Sequence, residues 1–218
     1  MTRPRDRQRA EQLRSKGTSV RSISNLLGVS KSTVSGWVKG VALTEEQKLK
    51  LGQNRQRAAL LGAKEATTRS RFKILQEATS EWGLLRTNPV FIFGLALYVG
   101  EGTKGPWSPG ITNCDPRVLR SVLRFYDLIG VDKTRLRVSL QVHHSTQIES
   151  AQLFWSRELD IHISQFTKPF IRKAQTTKRH NDQKHGTCHV RLHDVRIMLR
   201  ITKWMQLALE GTFDSIPG

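Results

Sequence analysis

The sequence predicts an α+β protein: an all-α N-terminal segment, a basic helical connector and a C-terminal domain where helices alternate with strands. Three observations carry this. Over the first forty residues, short helical stretches are separated by Gly and Ser signals. From about 42 to 85 the chain is polar, basic and helix-prone. From about 86 onward, helical apolar periods alternate with strict two-residue alternation. The expected segments are therefore 1–41, 42–85 and 86–218.

Composition narrows the partner. The chain has 218 residues, enough for one mid-sized domain and a small one. Thirty-six Lys and Arg stand against 18 Asp and Glu, a net charge of +18. Residues 1–85 hold 17 basic and 7 acidic residues; residues 86–218 hold 19 and 11. A field of that sign attracts a polyanion, so both halves are candidates to touch nucleic acid, duplex DNA or RNA. An anionic membrane is the rival, and no basic amphipathic helix with a clean apolar face supports it. No run approaches the roughly 18 apolar residues of a spanning helix. Met1-Thr2-Arg3-Pro4-Arg5 is basic with no apolar signal core behind it. Cys114 and Cys188 lack a CxxC partner and read as cytosolic thiols. The expected location is the cytoplasm.

Val20 to Lys39 reads VRSISNLLGVSKSTVSGWVK. Ile23, Leu27, Val29, Val34 and Trp37 are its apolar positions, with Trp37 assigned to core. Ser24 is small where two helices approach. Gly28 falls where a positive φ is needed, and Ser30 is placed to cap the next helix. These twenty residues resemble the helix-turn-helix of phage repressors and resolvases. The resemblance implies that the second helix enters the major groove and offers Ser30, Lys31, Ser32, Thr33 and Ser35 to base edges. Lys31 could reach a guanine edge or a phosphate. Arg21, Lys39 and the early Arg3, Arg5, Arg7 and Arg9 suit phosphates. The competing reading is a helical hairpin used for protein contacts.

Thr44-Glu45-Glu46-Gln47 has the form of a capping box that opens a long helix. Gly52 and Gly62 weaken that helix and allow a break. Lys48, Lys50, Arg55, Arg57, Lys64, Arg69, Arg71 and Lys73 make it strongly basic. It either tracks a DNA backbone or serves as a solvated spacer.

In the C-terminal segment, Ile111-Thr112 reads as a short strand before Asn113-Cys114-Asp115-Pro116, where Asp115 caps a helix with Pro116 at its first position. Arg135 to His143 alternates: Leu136, Val138, Leu140 and Val142 face one side, Arg135, Arg137, Ser139, Gln141 and His143 the other. A helix follows from Gln147 to Leu159, then Phe166 to Lys173. A strand runs from Thr187 to His193, with Cys188, Val190 and Leu192 inward and Thr187, His189, Arg191 and His193 outward. Between the last two lies a polar basic loop, 173–186, with Lys173, Lys178 and Arg179. Asp194 caps a last helix, with Gly211 past its end.

Ala96-Leu97-Tyr98-Val99-Gly100-Glu101-Gly102 resembles part of the LAGLIDADG motif, and the likeness covers most of residues 90–210, including the Ile111-Thr112-Asn113 segment, Gln165-Phe166 with Lys168, and Gly186-Thr187-Cys188. The resemblance implies a LAGLIDADG-like mixed domain with an antiparallel sheet. It also implies a homodimer through Ala96 and Gly100, and Glu101 as an acid holding a divalent metal. Val99 stands where the namesake motif has its first acid, and no second copy of the motif occurs. The plainer reading is a core helix with a terminal Glu.

The expected DNA contacts of this domain are Arg135, Arg137, Ser139, Gln141, His143, Lys168, Arg172, Lys173, Lys178, Arg179, His189 and Arg191. The seven histidines match no zinc spacing; His143-His144, His189 and His193 read as DNA-facing or solvated. Two functions follow. One is a sequence-specific double-stranded DNA-binding regulator that needs no cofactor. The other is a homing-type endonuclease using Mg2+ on Glu101, with Lys168 stabilising the charged transition state.

Overall fold

The computed structural model describes residues 4–142, 148–171 and 185–213. The chain packs as two compact units, Met1–Arg69 and Ser70–Gly218. The structure is mixed α+β.

The first unit is built from α1 (Pro4–Ser15), α2 (Val20–Leu27), α3 (Lys31–Trp37) and the first part of α4 (Glu45–Leu85). Local chemistry sets each boundary. The Ser19 hydroxyl accepts from the Ser22 N–H and opens α2. Gly28 closes it at φ 62°, a left-handed conformation that costs other residues about 1 kcal/mol. Ser30 accepts from the Thr33 N–H and opens α3. The Ser24 hydroxyl donates to the Val29 carbonyl at 2.6 Å, pinning the turn between α2 and α3. Ala10, Ile23, Val34 and Val38 form the buried centre, with Leu13, Leu27, Val29 and Trp37 packed around it. Each large apolar side chain removed from water there contributes about 1.5–3 kcal/mol.

The capping box at α4 is reciprocal: the Thr44 N–H donates to Gln47 Oε1 at 3.1 Å and the Gln47 N–H to Thr44 Oγ1 at 3.2 Å. Gln47 Nε2 also donates to the Ser15 carbonyl, tying α4 to the end of α1. The helix runs unbroken through Gly52 and Gly62. Its last turns supply Ile74, Ala78 and Trp82, four residues apart, to the second unit, where Ala78 and Trp82 join the main core.

The second unit adds α5 (Pro89–Glu101), β1 (Gly110–Asn113), α6 (Pro116–Leu128), β2 (Arg137–Val142), α7 (Ile148–Leu159), β3 (Phe170–Ile171), β4 (Thr187–Arg191) and α8 (Val195–Phe213). Gly94 sits where α5 meets α6; a Cβ there would lie 2.2 Å from Phe125 Cβ. Phe91 stacks edge-on against Trp204 at 5.1 Å between ring centres. The Trp204 indole N–H donates to the Ala78 carbonyl at 2.9 Å. Arg200 grips Glu81 with two bonds of 3.1 Å and lies over the Trp204 ring. These contacts hold α8 against the end of α4.

The sheet order is β1-β4-β2-β3. β4 is antiparallel to both β1 and β2, but β3 runs parallel to β2. The sheet is thus mixed rather than purely antiparallel. The chain leaves β2, crosses through α7 and returns alongside in the same direction, the connection a parallel pair requires. Asp115 caps α6 as expected, accepting from the Arg117 N–H. Ile111, Val138, Leu140, Val142, Cys188 and Val190 are buried in one core with the helices.

Three local expectations are corrected. Arg135 lies in a 3-10 turn, Lys133–Arg135, capped by Asp132, before the strand begins. Phe166 makes only an isolated bridge to Val138, and the strand proper is Phe170–Ile171; Pro169, with no N–H, interrupts the ladder. α8 continues through Gly211 to Phe213 instead of ending before it.

Candidate nucleic-acid interface

In the first unit, α3 turns Val34 inward and leaves Lys31, Ser32, Thr33 and Ser35 exposed. Arg21 on α2 and Lys39 beyond α3 are exposed as well. The hydroxyls are not equivalent. Ser30 Oγ lies 2.9 Å from Ser32 Oγ and 2.7 Å from Thr33 Oγ1, besides accepting the Thr33 N–H. These three form a cap cluster, so Ser30 serves the helix first. Lys31 and Ser35 project from the same helix outside that cluster. Along α4, Lys50, Arg55, Arg57, Lys64, Arg69 and Arg71 are exposed, while Lys48 pairs with Glu45 and Lys73 with Glu77.

In the second unit, the sheet face away from the core carries cross-strand rows. Arg137 pairs in register with Arg191, and Ser139 with His189, which faces Thr112 on its other side. Gln141 pairs with Thr187. Arg137 Nη1 donates to the carbonyls of Thr134 and Leu136, which steadies its stem while the side chain stays exposed. Burial, then the charge of Arg191, holds the His189 imidazole below its usual range, so it is neutral at pH 7. Arg135 is withdrawn from this face by an ion pair with Asp194 at 2.8 Å. Burial alone would raise the Asp194 carboxyl. The Arg135 hydrogen bond, the N–H groups of Ile197 and Arg196 and the Arg135 charge outweigh it and hold the group below the usual carboxylate range. His143, Arg172, Lys173, Lys178 and Arg179 lie outside the described residues.

Glu101 is the last residue of α5 and is exposed. Lys168 is exposed beyond the Phe166 bridge. The two do not converge. Gly102, beside Glu101, bridges Ile111 on the outer side of β1, whereas Thr167, beside Lys168, donates to Val138 on the far side of β2. With β4 between, they stand four strand spacings apart, about 19 Å. Their backbones are thus held at opposite edges of the sheet.

No family model, curated protein or solved structure matches the chain.

Ala96 and Gly100 face outward, with Ile92 and Phe93 exposed on the same helix. The small residue that draws α5 onto a neighbour within the chain is Gly94. Sequence reasoning passed over Lys104. Its Nζ donates to the carbonyls of Tyr98, Val99 and Gly102, each at 2.8 Å, and so caps the C-terminus of α5. Lysine at a helix C-terminus was the available signal. Burial lowers the Lys104 pKa, and the nearby Glu101 charge opposes that. The Tyr98 hydroxyl donates to the Thr103 carbonyl and accepts from the Gly110 N–H, and burial pushes it up to about 12. His193 is held by Ser108 at 2.9 Å.

A magnesium ion demands several hard oxygens in near-octahedral order. Three carbonyl oxygens close to Glu101 in the chain, those of Tyr98, Val99 and Gly102, already accept from the Lys104 ammonium. Among the described residues no group of three His, Cys, Asp or Glu side chains gathers. The described residues of one chain do not gather the ligands such an ion needs. Among the described residues no helix is long and apolar enough to cross a membrane.

Proposed function

We propose that this protein is a sequence-specific double-stranded DNA-binding protein that regulates transcription, as phage or mobile-element control proteins do, and that it works in the cytoplasm without a cofactor. The observation that carries the proposal is α3. A short helix, capped by Ser30 and anchored through Val34, Trp37 and the following Val38, leaves Lys31 and Ser35 exposed between Arg21 and Lys39. Such a helix-turn-helix offers its N-terminal side chains to base edges. The +18 charge supplies affinity for any duplex, and the polar outer face of the sheet adds a second contact surface.

The test compares two lysines on a site selected from random duplexes and on random DNA. Lys31→Ala should lose about 1–3 kcal/mol on the selected site alone. Lys50→Ala should weaken both DNAs alike and lower the salt slope by about one. Equal losses on both DNAs for both variants would dismiss α3 as the reading helix.

A second reading, a homing-type DNA endonuclease of the LAGLIDADG type, draws on the outward face of α5. Two chains meeting through Ala96 and Gly100 would bring two Glu101 carboxylates together. Nicking of supercoiled target DNA in Mg2+, abolished by Glu101→Gln with binding retained, would favour it.

A further inference from the structure

We infer that the Lys104 ammonium is the resident cation at the C-terminus of α5, held by the helix-end carbonyl oxygens that a metal beside Glu101 would draw on, so that no divalent ion binds there in the free protein. The inference deepens the regulator reading and rests on it for its meaning. An ammonium has three N–H donors. All three are used: the carbonyls of Tyr98, Val99 and Gly102 each accept one at 2.8 Å. The cage is built rather than incidental. Tyr98 is fully buried, and its hydroxyl bonds to the Thr103 carbonyl and the Gly110 N–H. The Thr103 N–H returns to the Gly110 carbonyl at 2.8 Å. The loop from Gly102 to Gly110 is thereby closed on itself with Lys104 inside its turn, and the Nζ lies 5.6 Å from the centre of the Tyr98 ring.

The consequence for Glu101 is direct. Hard divalent ions are bound by carboxylates together with carbonyl oxygens. At this helix end those carbonyls are spent on a positive charge, and an incoming cation would also meet that charge. The same geometry excludes Lys104 as a phosphate contact, because its donors are saturated within the chain. Glu101 then remains an exposed carboxylate at the helix end, and its charge favours the Lys104 ammonium.

The test is a titration of full-length, DNA-free protein with Mn2+, reading the free ion by electron paramagnetic resonance. Wild type should show no site tighter than about 1 mM, the weak end of protein carboxylate sites. Lys104→Met keeps the aliphatic stem and removes the charge. It should gain one Mn2+ per chain, and Lys104→Met combined with Glu101→Gln should lose it again. One Mn2+ per wild-type chain, abolished by Glu101→Gln, would overturn the inference, as would a folded Lys104→Met that binds no better than wild type. Circular dichroism checks folding. If Lys104→Met unfolds, Lys104→Gln replaces it, and the wild-type and Glu101→Gln titrations decide by themselves. Because no DNA is present, loss of duplex binding would strike the regulator reading and leave this result standing.

Discussion

Gly94 and Gly100 lie on the same helix six residues apart, and the packing predicts opposite outcomes when each becomes alanine. A Cβ at Gly94 would meet Phe125 Cβ at 2.2 Å and Cγ at 2.7 Å. Non-bonded carbons rest at about 3.5–4.0 Å, so more than an ångström must be found. Both partners are buried, and the atoms it meets are the base of a ring, not the end of a flexible chain. The helices must separate, or Phe125 must leave its contact with Phe91, 5.6 Å between ring centres. Overpacking of this kind costs about 1–3 kcal/mol, and the severity of the clash puts Gly94→Ala at the upper end or beyond. A Cβ at Gly100 meets nothing within 4 Å, so Gly100→Ala should stabilise the helix by about 0.5–1 kcal/mol. For a unit of about 150 residues each kcal/mol moves the melting temperature by roughly 2–4 °C. Thermal melts of the two variants should therefore shift in opposite directions. A Gly94→Ala protein that melts with the wild type would refute the close approach of α5 and α6. A Gly100→Ala protein that melts lower would show that the outward face is occupied.

Two further tests address the interface. Ser30→Ala should cost about 1 kcal/mol of stability in the first unit, because the hydroxyl caps α3, while Lys31→Ala should leave the melt nearly unchanged; an unaltered melt for Ser30→Ala would disprove the cap. His189 is held neutral by burial and Arg191, so its folded pKa lies below the unfolded one. Its stability contribution is present above about pH 6.5 and is lost as pH falls through the folded pKa. A phosphate on the sheet face would raise that pKa, so binding should take up a proton. Affinity should then strengthen by up to about tenfold per pH unit as pH falls below about 6.5. His189→Gln should flatten that slope; an identical slope in both proteins would remove His189 from the interface.

Much of the secondary structure was legible along the chain. Ser30, Thr44 with Gln47, Asp115 and Asp194 all cap the helices expected of them. The alternation in Leu136 to Val142 and in Cys188 to Leu192 matches the buried sides of β2 and β4. The candidate surface was legible only in part. Lys31 and Arg191 stand where alternation and spacing put them, but Arg135 is claimed by Asp194, 59 residues away. The charge of α4 also obscured the few apolar positions, Ile74, Ala78 and Trp82, that commit its last turns to the second unit.

The sequence by itself determined where helices start, which strand residues face inward, and that the chain carries a net charge of +18. These follow from interactions within about four residues, or from summed charge, which needs no coordinates. Tertiary structure alone decided that β3 lies parallel to β2, that Gly94 is the point of close approach, and that the backbones at Glu101 and Lys168 fall at opposite edges of the sheet. It also decided that Arg200 closes on Glu81, 119 residues earlier. Each of these joins residues far apart in the chain, and their partners are chosen by packing and strand order, which no local pattern encodes.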